Sequence, residues 1–248
     1  MSKQQINEEY EQFLNHMSDL ALRQRVIHSS FKREFEILAK FKNDSASEIV
    51  SYDALGFMNL FTGKFERYTS RKTSYSELEN ATIRQKNNQY CWLVVDAYER
   101  FESLIFKIHE LLIGESLPKK NRELKKTLCY FSYTYSSVSK AEKTNFSGVN
   151  LKIALLMVEK LRHKVVHAQG VIDDEKVFID KILSDSGINN DKDLHVRFIK
   201  QFICDGRVNI LERSVQSDSI VSMYHDVYAN IASYLVGYSK LVVDTVNV

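Results

Sequence analysis

Proline occurs once in this chain of 248 residues and glycine only eight times. Those two residues punctuate turns and end helices, so their scarcity argues against many strands and predicts a few long helices, a mainly α fold. Cysteine is scarce as well. Cys91, Cys129 and Cys204 are odd in number, far apart and free of any Cys-x-x-Cys pairing. That fits reduced thiols serving as small core residues better than a disulfide framework or a zinc knuckle. An excess of one charge sign is missing too, since 34 basic residues face 32 acidic ones for a net +2. A site for a polyanion must therefore be a local patch rather than a property of the whole surface. The purest apolar run, ALLMV at 154–158, is much too short to span a bilayer, and the start MSKQQINEEYEQF lacks the apolar core of a signal peptide. The expectation is a cytoplasmic protein without membrane contact.

What is present is ample material for a core, with 44% hydrophobic and 27% charged residues. From Asn7 to Lys42, Phe13, Met17, Leu20, Val26, Phe31, Phe35 and Leu38 recur at helical spacing, up to the polar stretch KNDSAS. In residues 48–75, Tyr52, Leu55, Phe57, Leu60 and Phe61 suggest a short helix, followed by a basic loop TGKFERYTSRKTSYS. Ser76 and Glu79 have capping-box spacing. Cys91, Val94, Tyr98, Phe101, Ile105, Ile108 and Leu112 then alternate steps of three and four in a long helix ending near Gly114. Pro118 and KKNRELKK suit the first turns of a helix with a basic exposed side. Asp173 can cap a further helix that Gly187 closes, GRVNILERSV reads as extended, with a short hairpin near 205–215, and Ile220 to Leu241 form a last heptad seam. The predicted architecture is an all-α multi-helix bundle, with residues 1–75 as a helical extension and 76–248 as the bundle.

The densest chemistry lies in LRHKVVHAQG, residues 161–170. At 100° per residue, Leu151, Leu155, Val158, Leu161 and Val165 form one stripe, and Arg162 falls inside it. A guanidinium set into an apolar face needs a carboxylate, a route to water or an anionic ligand, because burying it unpaired is costly. Asp96, Glu99 and Glu102 on the long helix are candidate partners. His163 and His167 share a face at i, i+4, whereas an ideal helix points His167 about 140° away from Arg162. The two converge on one ligand only if the helix unwinds near Gly170 or a second copy supplies the other half. HKVVH lacks the glutamate of the His-Glu-x-x-His zinc pattern and has no third ligand beyond Asp173 or Asp174, so no metal or cofactor is expected. Taken alone, a histidine at a helix end is more often a dipole-stabilising group than a catalyst.

Arg162, a polar His163, three further residues and His167 at the end of a helix resemble the signature of the HEPN superfamily of ribonucleases and nucleotide-binding domains, with the helical layout of 76–248 similar as well. Some toxin members carry a tyrosine where this chain has Gln169. The resemblance implies a metal-independent endoribonuclease, with Arg162 and His167 catalytic and His163 and Lys164 supporting them. It also implies a polar or acidic support on an earlier helix, for which Asp96, Glu99 and Arg100 are candidates and Glu99 is preferred. It implies a homodimer, RNA as substrate, and an antitoxin or regulatory partner in a bacterial toxin or antiviral setting. Lys119, Lys120, Arg122, Lys125 and Lys126 are the densest cations for holding RNA, with Arg67, Arg71 and Lys72 second. The rival expectation is a non-catalytic bundle acting as an interaction or nucleotide-sensing module.

Overall fold

A computed structural model describes residues 3–44, 48–116, 118, 122–215 and 223–247. The chain is an all-α multi-helix protein with small hairpins between the helices. Among the described residues no helix is long and apolar enough to cross a membrane. Two compact units emerge, one of residues 1–24 with 89–248 and one of residues 25–88. This differs from a division at 75/76, because the apolar face of the first helix is buried only in its opening turns.

That helix, α1 (Lys3–Asp44), is continuous and buries Ile6, Phe13, Met17 and Leu20. Beyond Gln24 it keeps large apolar side chains in solvent, Val26 and Phe41 among them. The unit of residues 25–88 continues with an antiparallel ribbon, β1 (Ile49–Met58) and β2 (Phe65–Ser74). The helix and basic loop expected there are thus strands. Apart from Thr73 and Ser74 at the end of β2, their described side chains face solvent, so no buried apolar face advertised the period of two. Gly63 turns the ribbon at φ 66°, a conformation glycine adopts freely.

Helix α2 (Tyr75–Ile113) begins two residues before the expected start. The reciprocal cap is Ser74 with Glu77: Ser74 N–H donates to Glu77 Oε2 at 2.7 Å and Glu77 N–H to Ser74 Oγ at 3.2 Å. Thr73 Oγ1 also donates to Glu77, which favours this box over the overlapping Ser76 and Glu79. Six of the seven residues in the expected α2 stripe are buried; Leu112 is half-buried.

The larger unit continues with α3 (Leu124–Thr134), α4 (Ser136–Lys143), α5 (Leu151–Ala168), α6 (Glu175–Ser186), α7 (Lys192–Lys200) and, after short strands, α8 (Val227–Val246). The strands pair as β3 (Ile203–Cys204) with β4 (Arg207–Val208), and β5 (Arg213–Val215) with β6 (Met223–His225). The basic helix expected from Pro118 starts only at Leu124. The seam expected from Ile220 starts at Val227; Ile220 itself lies outside the described residues, and Tyr224 belongs to β6. Asp174, one residue after the expected cap, receives the N–H of Val177 at 2.9 Å and starts α6.

Helix α5 is central: it packs against α3, α4, α6, α7, α8 and β4. Accordingly Ile153 through Val158 are all fully buried, a helix apolar all round in its first turns. Each of these side chains other than Ala154 contributes about 1.5–3 kcal/mol by leaving water. Cys91 is buried as expected, which pushes its thiol up to about 12, whereas Cys129 and Cys204 are exposed. The opening turns of α1 are tied to α8: Lys3 Nζ donates to the Asn247 carbonyl, Asn247 Nδ2 to Asn7 Oδ1 at 2.7 Å, and Gln24 Nε2 to Asp226 Oδ2 at 2.7 Å.

Candidate functional site

Asn150 starts α5, its side chain accepting the N–H of Lys152 at 3.0 Å, and the helix stays regular through Ala168. It ends on Gln169 in the left-handed region, φ 50°, and on Gly170 at φ 76°, whose N–H bonds to the Lys164 carbonyl at 2.9 Å. The β3–β4 hairpin clamps this end. Arg207 Nη2 donates to the Gln169 carbonyl at 3.1 Å, Val208 N–H to Gly170 and Ile172 N–H to Gly206, both at 2.8 Å. A left-handed glutamine is a strained choice for a side-chain-bearing residue, and these bonds hold it there.

Because α5 does not unwind before Ala168, Arg162 and His167 of one chain diverge by about 140° and about 7.5 Å along the axis. Arg162 stands in the wall of a cavity of about 550 Å³ between α2, α5 and α6, together with His163 and Lys164. His167 is not part of that wall. It is exposed in the last turn of α5, its ring 4.6 Å from the exposed ring of His163. A cation there suits the negative end of the helix dipole.

Arg162 is mostly buried, as its place in the stripe requires, and one Nη donates to Glu99 Oε1 at 2.8 Å. The bond is single rather than a two-pronged clamp, and the buried Nε of Arg162 has no hydrogen-bond partner. Glu102, one turn further along α2, also lines the cavity and accepts a hydrogen bond from Tyr98 Oη at 2.8 Å. Burial pushes its carboxyl above the usual range, opposed by the Tyr98 hydrogen bond and the charge of Arg162. Burial likewise drives Tyr98 well above an ordinary phenol, reinforced by Glu102. His163 is pushed down, first by desolvation and then by His167, Lys160, Arg162 and Lys164 around it, so its neutral form is favoured.

Around this centre the cavity is mixed in charge. Lys164 lies 3.6 Å from Asp173, and Lys160 3.1 Å from Glu159 and 3.3 Å from Asp185. Lys181 and Phe178 of α6 complete the far side. Sequence reasoning missed Tyr98, Glu159, Lys160 and the α6 residues. The spacing of Tyr98 and Glu102 at i, i+4 on α2 was the available signal for the first of them.

Other candidates lie elsewhere. Asp96 does not reach Arg162; its carboxylate accepts from His16 Nε2 at 2.8 Å and Arg23 Nη1 at 3.3 Å. Lys119 and Lys120 lie outside the described residues. The rest of that basic group faces acids: Arg122 meets Glu110 at 2.7 Å, Lys126 meets Glu123 at 2.7 Å, and Lys125 is 3.7 Å from Asp185. These pairs soften the basic character of the face. Among the described residues, no group of three or more His, Cys, Asp and Glu side chains is arranged to hold a metal ion. No known protein family, characterised protein or solved structure matches the chain.

Proposed function

We propose that this protein is a metal-independent endoribonuclease of the HEPN type, acting as a homodimer. The observation that carries the reading is Arg162: a cation in an apolar stripe, bordering a cavity, held by one bond to a half-exposed carboxylate, with its buried Nε unsatisfied. Arg162 lines the cavity, and the planar fork of its guanidinium matches two phosphoryl oxygens at once. Glu99 holds the guanidinium in place until the phosphate arrives.

The chemistry follows from the residue types. His167 of one copy accepts the proton of a ribose 2'-hydroxyl, the 2'-oxygen attacks the adjacent phosphorus, and the bond from phosphorus to the 5'-oxygen breaks. The leaving oxygen takes a proton from the protonated His167 of the second copy, so the products are a 2',3'-cyclic phosphate and a 5'-hydroxyl. Arg162 stabilises the charge that builds on the phosphoryl oxygens. One histidine cannot be base and acid in the same event, and the divergence of Arg162 from His167 on an unbroken helix supports a site completed across a two-fold axis. His163 packs against His167 and holds its ring, and Lys164 offers a contact to the RNA backbone. The setting that fits is a bacterial toxin or antiviral system, with an antitoxin or regulatory protein as partner.

The test is incubation of labelled RNA with the purified protein in EDTA. Cleavage to cyclic-phosphate ends is expected to persist, to vanish in His167→Ala, and to fall less in His163→Ala. Activity lost to the chelator and restored by zinc, with both histidine variants equally dead, would overturn the reading.

A further inference from the structure

The β1–β2 ribbon exposes Phe57 at 41%, Met58 at 56%, Leu60 at 90%, Phe61 at 100% and Phe65 at 68%. Five large apolar side chains within nine residues exceed the scattered exposure normal for a soluble surface and mark a binding element. Its tip is rigid. Asn59 Oδ1 accepts the N–H groups of Phe61 at 2.9 Å and Thr62 at 3.2 Å, Asn59 Nδ2 donates to Glu66 at 2.9 Å, and Asn59 and Gly63 close the turn through their backbones. Phe61 is therefore presented rather than left to collapse onto the strands.

Phe65 is placed more tellingly. A Cβ built on Gly56 would lie 2.4 Å from Phe65 Cζ, so the ring occupies the space above that glycine. One side of the ring covers the backbone of β1 while the side chain remains mostly in solvent. In the register, Met58 faces Phe65 and Gly56 faces Arg67. Phe65 and Arg67, two residues apart on one strand, therefore share a face with Gly56 and Met58, about 6.6 Å apart along it. Arg67 and Lys64 are exposed. Residues 49–74 carry four cations, Lys64, Arg67, Arg71 and Lys72, against the two acids Asp53 and Glu66.

We propose that this ribbon is a binding platform for single-stranded RNA, with Phe61 and Phe65 stacking on bases and Lys64 and Arg67 meeting the phosphates between them. Open aromatic faces alternating with cations at about one nucleotide step are what an unpaired polynucleotide requires. A duplex hides its base faces and has nothing to offer the rings. Charge complementarity favours a polyanion over a second copy of the equally basic ribbon. The choice of RNA as the polynucleotide rests on the proposed nuclease function; the stacking geometry does not.

The experiment is fluorescence anisotropy of a 5'-labelled 12-nucleotide oligouridine with the full-length His167→Ala protein, which leaves the probe intact. Binding of the single strand at least 10-fold tighter than of a 12-base-pair RNA duplex is expected. Phe65→Ala should weaken it about 5- to 100-fold, Phe61→Ala adding to the loss and Phe65→Trp restoring it. Lys64→Ala with Arg67→Ala should flatten the salt dependence by about 1.4 in logarithmic slope. These side chains are exposed, so melting temperatures should shift by no more than a few degrees. Unchanged binding in the double Phe variant, equal binding of the duplex, or Phe-dependent binding to phosphatidylserine vesicles without binding to oligouridine would overturn the proposal. Cleavage that survives in EDTA while the ribbon variants bind normally would sink the platform alone. Phe65-dependent binding without any cleavage would sink only the nuclease reading.

Discussion

Arg162→Ala separates a residue that serves the fold from one that serves chemistry. The side chain is 28% exposed and its partner Glu99 is 51% exposed, so the ion pair itself is worth only about 0.2–1 kcal/mol. Loss of the buried part of the aliphatic stem adds about 1–2 kcal/mol at about 0.8 kcal/mol per methylene. The expected destabilisation is thus about 1–3 kcal/mol, a fall in Tm of about 3–10 °C for a domain of this size. The larger loss of about 3–5 kcal/mol applies when an acid is stranded in the interior, and Glu99 has solvent to fall back on. Against a total of about 5–15 kcal/mol, even the weakest case keeps about 2 kcal/mol, with about 97% of molecules folded. Removing a charged donor to developing phosphoryl charge, by contrast, lowers cleavage about 100- to 1,000-fold, or about 2.7–4 kcal/mol. Unfolding of a few per cent cannot mimic that. The assay pairs thermal melting with RNA cleavage at 25 °C on one preparation. A variant that melts in this range yet cleaves as fast as the parent would refute a catalytic Arg162.

Two further perturbations bear on assembly and on the core. Sedimentation at micromolar concentration should give a homodimer, because Arg162 and His167 of a single unbroken α5 cannot face one phosphate; a fully active monomer would disprove this. Glu142 is buried and accepts hydrogen bonds from Ser132 and Tyr238, and burial raises its carboxyl above the usual value despite them. The folded state therefore holds this proton more tightly than the unfolded chain. Its stabilisation is complete below about pH 4.5 and is lost as pH rises through the raised folded value. Urea unfolding of the parent and Glu142→Gln between pH 4.5 and 7 should show the parent losing ground across that window, and a pH-independent difference would contradict it.

The helices could be read from the chain because their apolar faces are buried in register. Tyr98, Phe101, Ile105 and Ile108 of α2 and the stripe of α5 repeat the spacing of the core they meet. The ribbon could not, because hydrophobic spacing reports burial, and Leu60 and Phe61 are bare. The caps of α2 and α6 were legible to within two residues: two overlapping Ser-x-x-Glu pairs compete ahead of α2, and Thr73 joins only one of them. At the site, the wheel put Arg162 in the stripe and the two histidines on one face. It left its acid open among Asp96, Glu99 and Glu102, because that choice depends on the relative rotation of two helices. Asp96 is drawn away by His16 and Arg23, 80 and 73 residues earlier, a pairing no local pattern encodes.

The ties between α1 and α8 govern the order in which the protein can be made. Gln24 and its partner Asp226 are 202 residues apart, so at about 10 residues per second the early half of α1 waits about 20 s for the strand of nascent chain that completes its packing. For about the last 6 s of that interval α5, with Arg162 and His167, has been synthesised while α8 has not. The side of α5 that packs against α8 is thereby left open until the end of synthesis.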